Sequence, residues 1–558
     1  MDDSFVKVPV NVPKLSGFDK SHQNLFTSKC GTITPIRIDE LIPGSKVNLK
    51  LALSASLPPL ASDTFMRCSV KVEAFFVPFR LLAGSFESWF TDEAKRFASY
   101  TINSSTYTPT ARKGFLPVIG NLDATNDATA IADMTAAGSL ADYLGFKTGS
   151  TLTLTSNVIS AMPFLAYHRV YHDWYRNTLV QSEVFLPPTS SRNASISPSS
   201  EDIMAGTSPF TFFGEQGYAT PGYVFGKTAQ LELADGVMLY ALRQRNFGLD
   251  YFTTATPSPQ QGSAEVVSFS TSGSTGQFSI AALRAANSLQ QFKERNNLAG
   301  QLFVEQCRSR YGVCPSDGIA QRSLYLGSAQ FEVYSKGIYT QSQDTAASVN
   351  TRNPFQGTTA AQFGAARASG SQSLVEHFEA KEPGYLLVNA TLVPRVTYSS
   401  GIHRRFIHYC GAGSLADLAN PILQNVGPQP IYQKELTGVD SLSYIFGYTD
   451  RYASFKTMED ELHGILRDNE TLESFALQRS FSVGAGPTVN SSFLTIPTNY
   501  MDQVSAVASS ISNYGYWADC YFDYKVAQPL AKYSLPSLQD PAYEHGRTIV
   551  IHKGGKRV

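Results

Sequence analysis

In Lys46-Val47-Asn48-Leu49-Lys50-Leu51-Ala52-Leu53-Ser54, the apolar residues Val47, Leu49, Leu51 and Leu53 occupy every second position, and Lys46, Asn48, Lys50 and Ala52 fill the places between. Successive side chains of a strand point to opposite sides, so this spacing predicts a β-strand with one buried and one polar face. Ser69–Phe76 repeats the pattern with Val70, Val72, Ala74 and Phe76, and Pro78 stops it. Tyr385–Val393 follows with Leu386, Val388, Ala390 and Leu392 on one side. In Trp517–Val526, Cys520, Phe522, Tyr524 and Val526 face one way, and Asp519, Tyr521, Asp523 and Lys525 the other. These strands lie near the two ends of the chain and in its second half. A sheet containing them pairs residues hundreds of positions apart, as antiparallel sandwiches of the jelly-roll type do. A doubly wound α/β fold would alternate strand and helix at short intervals, which is not seen.

Helical spacing appears between these strands. Met162–Ser182 carries Phe164, Tyr167, Tyr171, Trp174 and Thr178 three and four apart. Ser279–Tyr311 carries Ile280, Leu283, Ala286, Leu289 and Phe292, then Leu298, Leu302, Cys307 and Tyr311 beyond an expected break at Gly300. Phe86–Tyr100 is a shorter candidate. Three long Ser/Thr/Gly/Pro-rich segments, 101–155, 187–236 and 334–373, interrupt the framework as insertions. Loops of that length inside a compact domain are expected to be functional surface or subunit contacts. The rest reads as one domain over residues 1–558 with an N-terminal arm at 1–29.

Composition narrows the function classes. Apolar residues make up 42% of the 558, with 35 Phe and 28 Tyr, which is ample for a large core and excludes a mainly disordered chain. Charged residues are 16%, below the usual value of about 25%. The net charge of −1 is far from that of a globally basic nucleic-acid binder. A chain so neutral and aromatic suits a surface covered by partners. No apolar run approaches the length of a membrane span. Met1-Asp2-Asp3-Ser4-Phe5 has neither the basic nor the apolar region of a secretory leader. The scattered Cys30, Cys68, Cys307, Cys314, Cys410 and Cys520 never form a C-x-x-C pair, so buried, reduced thiols in a reducing cytoplasm are expected.

Motifs for chemistry are weak. His168 and His172 lie four apart, but the glutamate of H-E-x-x-H is missing, so packing or polar-contact histidines are expected. His403, His408 and Cys410 fit no zinc spacing. Gly411-Ala412-Gly413-Ser414-Leu415-Ala416 resembles a dinucleotide-binding turn, but Pro421, Pro428 and Pro430 break the region where its second strand should form, and a plain glycine-rich turn is expected. Glu459-Asp460-Glu461 beside His463 reads as a solvated turn. No catalytic residue, metal ligand or cofactor is therefore assigned. The basic ends are more suggestive. Lys7, Lys14 and Lys20 in the arm and Lys553, Lys556 and Arg557 in the tail are candidate nucleic-acid contacts, because short basic tails neutralise phosphates without reading sequence.

Taken together, segments along nearly the whole chain resemble the major capsid protein of the microviruses, small icosahedral bacteriophages with single-stranded DNA, and most of all its gokushovirus branch. Phe18-Asp19-Lys20-Ser21-His22 and Asp39-Glu40-Leu41-Ile42-Pro43-Gly44 open the series. Phe75-Phe76-Val77-Pro78-Phe79-Arg80-Leu81-Leu82 resembles F-F-V-P-x-R-L, and the segment from Tyr167 to Asn177 resembles Y-x-x-I-Y-N-E-W-F-R-D. Asp250-Tyr251-Phe252-Thr253 with Pro257-Ser258-Pro259-Gln260 resembles D-Y-F-T-x-x-x-P-x-P-Q, and Leu289–Asn296 is similar to Q-x-L-L-E-R-D. Arg322–Gly327, Gly401-Ile402-His403-Arg404, Phe446–Ala453 and Cys520–Pro529 resemble R-P-E-Y-L-G, G-L-H-R, F-G-Y-Q-E-R-Y-A and the closing strand D-F-Y-F-D-x-K-x-x-R-P, all in the same order.

The resemblance implies a mainly β, eight-stranded antiparallel jelly roll with long loop insertions containing a few helices. It implies a structural protein without catalytic site that self-assembles as a homo-oligomer into a T=1 icosahedral shell around single-stranded DNA. The virion would be assembled in the host bacterial cytoplasm. Small internal DNA-binding or scaffolding proteins and a host surface receptor are the further expected partners, and no membrane is. One departure stands out. The family's protruding insertion follows the D-Y-F-T motif, where this chain has only Ser263–Gln277; its long insertion precedes the motif instead. Phe210, Phe212, Phe213, Tyr218, Tyr223 and Phe225 make 187–236 a candidate outer loop toward neighbours or host. Two other classes fit the residues alone: a β-sandwich carbohydrate-binding or receptor-adhesin module, and a carboxylate-pair hydrolase for which no acid stands out.

Overall fold

The computed structural model describes the chain outside residues 1–6, 13–14, 62–63, 84–85, 92–99, 103–104, 108–115, 120–127, 147–158, 186–222, 226–232, 234, 264–279, 301, 342–360, 409–418, 439–443, 482–486, 507–514, 531–546 and 553–558. The strands used below are β1 (Lys7–Val12), β2 (Ser16–Asp19), β3 (His22–Ser28), β4 (Thr32–Leu41), β5 (Lys46–Ser56), β6 (Cys68–Pro78), β7 (Leu324–Gln341), β8 (Ala361–Glu379), β9 (Gly384–Pro394), β10 (Tyr516–Gln528) and β11 (Arg547–His552).

The central sheet runs β4-β9-β6-β7-β8-β5-β10, closed on the last edge by β2 and β3, and every pairing is antiparallel. β2 pairs with Lys525–Gln528 and β3 with Tyr516–Phe522, so the two form one strand interrupted at Lys20-Ser21. Counted that way, the architecture has eight long strands, with a two-residue strand at Arg243–Gln244 added on the outside of β4. The β7–β8 hairpin divides them into two wings. Leu324–Val333 of β7 pairs with β6, Tyr334–Gln341 pairs with Ala361–Arg367 of β8, and Arg367–Glu379 pairs with β5. The wings β4-β9-β6-β7 and β8-β5-β10-β2/β3 close over one apolar core. This is the mainly β, antiparallel sandwich of jelly-roll type that the strand pattern predicts, and that the resemblance implies as a capsid fold.

The alternation in β5 and β10 is obeyed position by position. Leu49, Leu51, Phe522 and Tyr524 are fully buried, and each such side chain contributes roughly 1.5–3 kcal/mol by leaving water. The wing with β6 and β9 differs from the expectation. All of β9 is buried. Its Leu386, Val388, Ala390 and Leu392 enter the sandwich core, as does the Val70–Phe76 face of β6, while Tyr385 and Leu387 of β9 and Phe75 and Val77 of β6 enter a second core on the outer side. That second core is supplied by helix α1 (Met162–Val170) and by the helices Ala128–Thr135 and Leu140–Tyr143 within the 101–155 insertion. The described part of that insertion therefore covers the sheet.

Three other expectations are corrected. The described parts of 334–373 are strand, not loop: they form the arms of the β7–β8 hairpin. α1 does not reach Ser182. A π turn at Tyr171–Tyr175 ends it, and Arg176 is extended at ψ 137°, which leaves Thr178 outside the helix. The long helical stretch does break at Gly300, with φ +90°, into α2 (Ile280–Ala299) and α3 (Phe303–Tyr311). Its apolar stripe, however, is exposed rather than buried: Ile280 is 67%, Leu283 51%, Leu289 43% and Phe292 44% accessible. Of Phe86–Tyr100, Phe86–Phe90 is helical, and 92–99 lie outside the described residues.

Candidate nucleic-acid contacts and subunit surface

β1 and β11 form a two-stranded ribbon in which Lys7 faces His552 and Val12 faces Arg547. The first and last described segments of the chain are thereby held side by side. Lys553 follows directly on β11 in the sequence. Lys14, Lys553, Lys556 and Arg557 themselves lie outside the described residues.

Lys20 is placed differently. Its Nζ donates to both oxygens of Asp39, at 3.1 and 3.0 Å, and lies 5.9 Å from the centroid of the Tyr524 ring. Arg37 approaches the same carboxylate at 3.7 Å, and Tyr524 Oη donates to it at 2.7 Å. This cluster pins the junction of β2 and β3 to β4 and β10. A phosphate would have to compete with Asp39 for Lys20.

Of the aromatic loop residues, Tyr223 and Phe225 belong to a short strand, Tyr223–Phe225, that pairs in parallel with Pro117–Ile119. Phe210, Phe212, Phe213 and Tyr218 lie outside the described residues, as do Cys410 and the glycine-rich turn at 411–416.

The histidines have structural partners. His168 is fully buried; Arg243 Nε donates to its Nδ1 at 3.0 Å, and its Nε2 donates to the Leu239 carbonyl at 2.8 Å. Burial, with the Arg243 charge beside it, holds the ring neutral far below its ordinary pKa. His172 bridges Asp173 at 3.0 Å and Glu183 at 2.9 Å. Burial works against its charged form, but these two acceptors outweigh that and raise its pKa. His403 lies 3.9 Å from Glu459 and 3.7 Å from Glu461, and His463 is 3.1 Å from the other oxygen of Glu461. Arg405 enters the same group, donating at 2.7 Å to Glu461, and its positive charge opposes a cation there. Among the described residues, no group of three or more His, Cys, Asp or Glu side chains could hold a metal ion. The acidic run is thus a set of surface ion pairs, with Asp460 held by Arg395. Glu459 is pushed above the usual carboxylate range, first by burial and also by the neighbouring Glu435, Asp250 and Glu461. Among the described residues, no helix is long and apolar enough to cross a membrane.

The reading of the sequence missed the polar ties between the layers. Arg245 holds Glu73 of β6 in a two-pronged ion pair at 2.6 and 3.0 Å, and Tyr175 Oη donates to the same carboxylate at 2.6 Å. Asp173 accepts from the Ser323 N–H at 2.8 Å and from its hydroxyl at 2.9 Å, fixing the end of the α1 region to the entry of β7. Glu73, the one acid in β6, was the signal available.

The comparisons with known proteins agree with the antiparallel β sandwich. The family model described as capsid protein (F protein) matches residues 7–275 and 269–538. The chain is 25% identical to capsid protein VP1 of Bdellovibrio phage phiMH2K, over 96% of this chain and 97% of the relative. It is 24% identical to capsid protein VP1 of Chlamydia phage 1, over 97% and 98%. To capsid protein VP1 of Spiroplasma virus 4 it is 23% identical, over 93% and 94%. The resemblance to microvirus capsid proteins is borne out, and the chain belongs to the phage capsid protein (F protein) family.

Proposed function

We propose that this protein is the major subunit of a T=1 icosahedral shell that encloses a single-stranded DNA genome. Its structural role in a virion follows from the family; the shell symmetry and the cargo are this proposal. The observation that carries it is the match along nearly the full length of both this chain and its VP1 relatives, on a β-sandwich. The low charge and high aromatic content suit extensive subunit interfaces. The meeting of the two termini in the β1·β11 ribbon supports a basic patch for the genome, formed by Lys7, Lys14, Lys553, Lys556 and Arg557, with Lys20 the weakest member because of Asp39. The chain acts without catalysis, and internal viral proteins and a host receptor are its partners beyond its own copies. The 187–236 segment forms the outer contact surface.

Size-exclusion chromatography of the expressed protein, with negative-stain electron microscopy of the earliest peak, tests the shell. Uniform icosahedral particles are expected; a persistent monomer, also in the presence of the phage's other capsid components, refutes it. For the cargo, particles from infected cells should protect DNA that is digested by a single-strand-specific nuclease after extraction. Neutralising the basic candidates should lower the salt slope of single-stranded DNA affinity by about 0.7 per charge that contacts phosphate. An unchanged slope removes them.

A further inference from the structure

β3 is paired on one side only. It bonds to β10, and among the described residues no strand pairs with its other edge. In the same register, the Lys20 N–H donates to the Tyr524 carbonyl at 2.8 Å. Antiparallel pairs alternate between residues that exchange both backbone bonds and residues that turn theirs away. The even positions of β3 therefore bond to β10, and Gln23, Leu25 and Thr27 direct their N–H and C=O groups outward. Tyr143 Oη donates to the Thr27 carbonyl. The remaining backbone groups of these three residues have no hydrogen-bond partner among the described residues. Sheets normally blunt such an edge with a charge, a proline or a bulge. Gln23–Thr27 has none of these, and Leu25 at its centre is 71% exposed.

The edge lines a groove of about 1590 Å³ between the sheet and the helices of the 101–155 insertion. Asp133, Asp142 and Asp519 line this groove, and Lys29 is the one lysine or arginine among its described lining residues. Asp142 and Asp519 accept from neutral donors, the Gly138 N–H and Gln23 Nε2, both at 2.8 Å. None of the three aspartates is ion-paired among the described residues. An acidic groove beside an unpaired strand suits an extended, basic segment. The chain carries one. The β1·β11 ribbon joins no other strand among the described residues, and two strands alone are marginally stable in water. It contains Lys7 and Arg547 and no acid. Pro9, opposite Val550, suits β1 to an outer edge. β11 has no proline, and four of its six residues are β-branched, which favours a strand with neighbours on both sides. The free side of β11 thus lacks a partner, as the free side of β3 does. Ser16, the fourth residue after β1, is opposite Gln528, eleven positions along β10 from the partner of Thr27, about 36 Å at about 3.3 Å per residue. The ribbon therefore leaves its own sheet at the end remote from Thr27, which points to another copy as its partner. A contact between two different patches of identical chains is head-to-tail, the kind that closes into rings.

We propose that β11 of one copy adds as a strand to the Gln23–Thr27 edge of a second copy of this chain. The proposal rests on the capsid reading for its choice of partner. Leu25→Pro removes an N–H that the single subunit does not use, and Leu25→Lys puts a charge on the edge with the backbone intact. Circular dichroism and melting of dissociated subunits should match the wild type for Leu25→Lys, which keeps the test decisive if the proline disturbs β3. By sedimentation, assembly should fall about tenfold or more in both variants. Amide exchange at Leu25 and Thr27 should slow on assembly of the wild type. Leu25→Cys subunits mixed with Ile549→Cys subunits and a short bismaleimide should yield, by mass spectrometry, a peptide linking positions 25 and 549. A link found only within single chains of the double variant Leu25→Cys/Ile549→Cys seats the ribbon on its own subunit and overturns the proposal. So does its absence from both samples, or wild-type assembly of Leu25→Lys. A wild type that forms oligomers other than shells, with the link between copies, would keep the strand addition and refute the shell. A wild type that is monomeric under all conditions would overturn both.

Discussion

Removing the Glu73 carboxylate should destabilise the subunit far more than a typical surface charge does. Glu73 and Arg245 have side chains 14% and 17% accessible, joined through two hydrogen bonds at 2.6 and 3.0 Å. The guanidinium also lies 5.0 Å from the Tyr175 ring centroid, and Tyr175 Oη uses the same carboxylate. Glu73→Ala strands a buried cation and a buried hydroxyl together. Breaking one side of a buried pair costs about 3–5 kcal/mol, and the residual accessibility places this case near the lower end. Against a whole stability of about 5–15 kcal/mol that loss is large. Urea unfolding of dissociated subunits, followed by tryptophan fluorescence, measures it. Arg245→Ala should cost a similar amount, and the double variant should cost less than the two together by about 0.5–3 kcal/mol. Acidity adds a second check. Burial pushes the Glu73 pKa up, but the hydrogen bonds and charge of Arg245 more than offset this and hold it below its ordinary value of 4.5. A lowered folded-state pKa gives stability that is present above about pH 4.5 and is lost as pH falls through the folded value. Glu73→Gln should therefore flatten the stability curve in that acidic window. A Glu73→Ala variant within about 0.5 kcal/mol of wild type, the range of ordinary surface substitutions, or strictly additive singles, would refute the reasoning.

Phe522 is fully buried at the centre of β10, so Phe522→Ala should cost about 3–5 kcal/mol in the same unfolding assay; a loss under about 1 kcal/mol would mean that the wings do not close over one core. A Cβ on Gly384 would stand 2.5 Å from the Val77 carbonyl oxygen and 2.7 Å from Phe76 Cζ, so Gly384→Ala should force β9 away from β6 and lower the melting temperature by several degrees, while an unchanged melt would contradict that approach. His172 titrates above its ordinary value of 6.5; a raised folded-state pKa gives stability that is complete below about pH 6.5 and fades as pH rises through the folded value. His172→Gln should abolish that slope, and a variant that keeps the wild-type pH dependence would place its origin elsewhere.

The residues that wrote their fate plainly were those whose surroundings are local. β5 and β10 alternate because one wing of the sandwich has a single covered face, and period 2 records that directly. β9 alternates no less, yet both its faces are buried, because the covering helices come from 128–170, more than two hundred residues away, and nothing in Tyr385–Val393 encodes their arrival. Glu73 and Arg245 were illegible for the same reason: their pairing across 172 positions exists only once the layers stack. The histidines at 168 and 172 were read as packing residues, and the partners that make them so, Arg243 and Glu183, are likewise set by the fold. α2 shows a further limit. Its apolar stripe was visible, but its destination was not, since burying a leucine in one's own core and burying it against a neighbour remove the same area from water and contribute alike per Å². Periodicity tells which face must leave water; it is silent on who supplies the cover. The apolar residues of α2 are as legible in the sequence as those of β5, and only the fold separates the exposed ones from the buried ones.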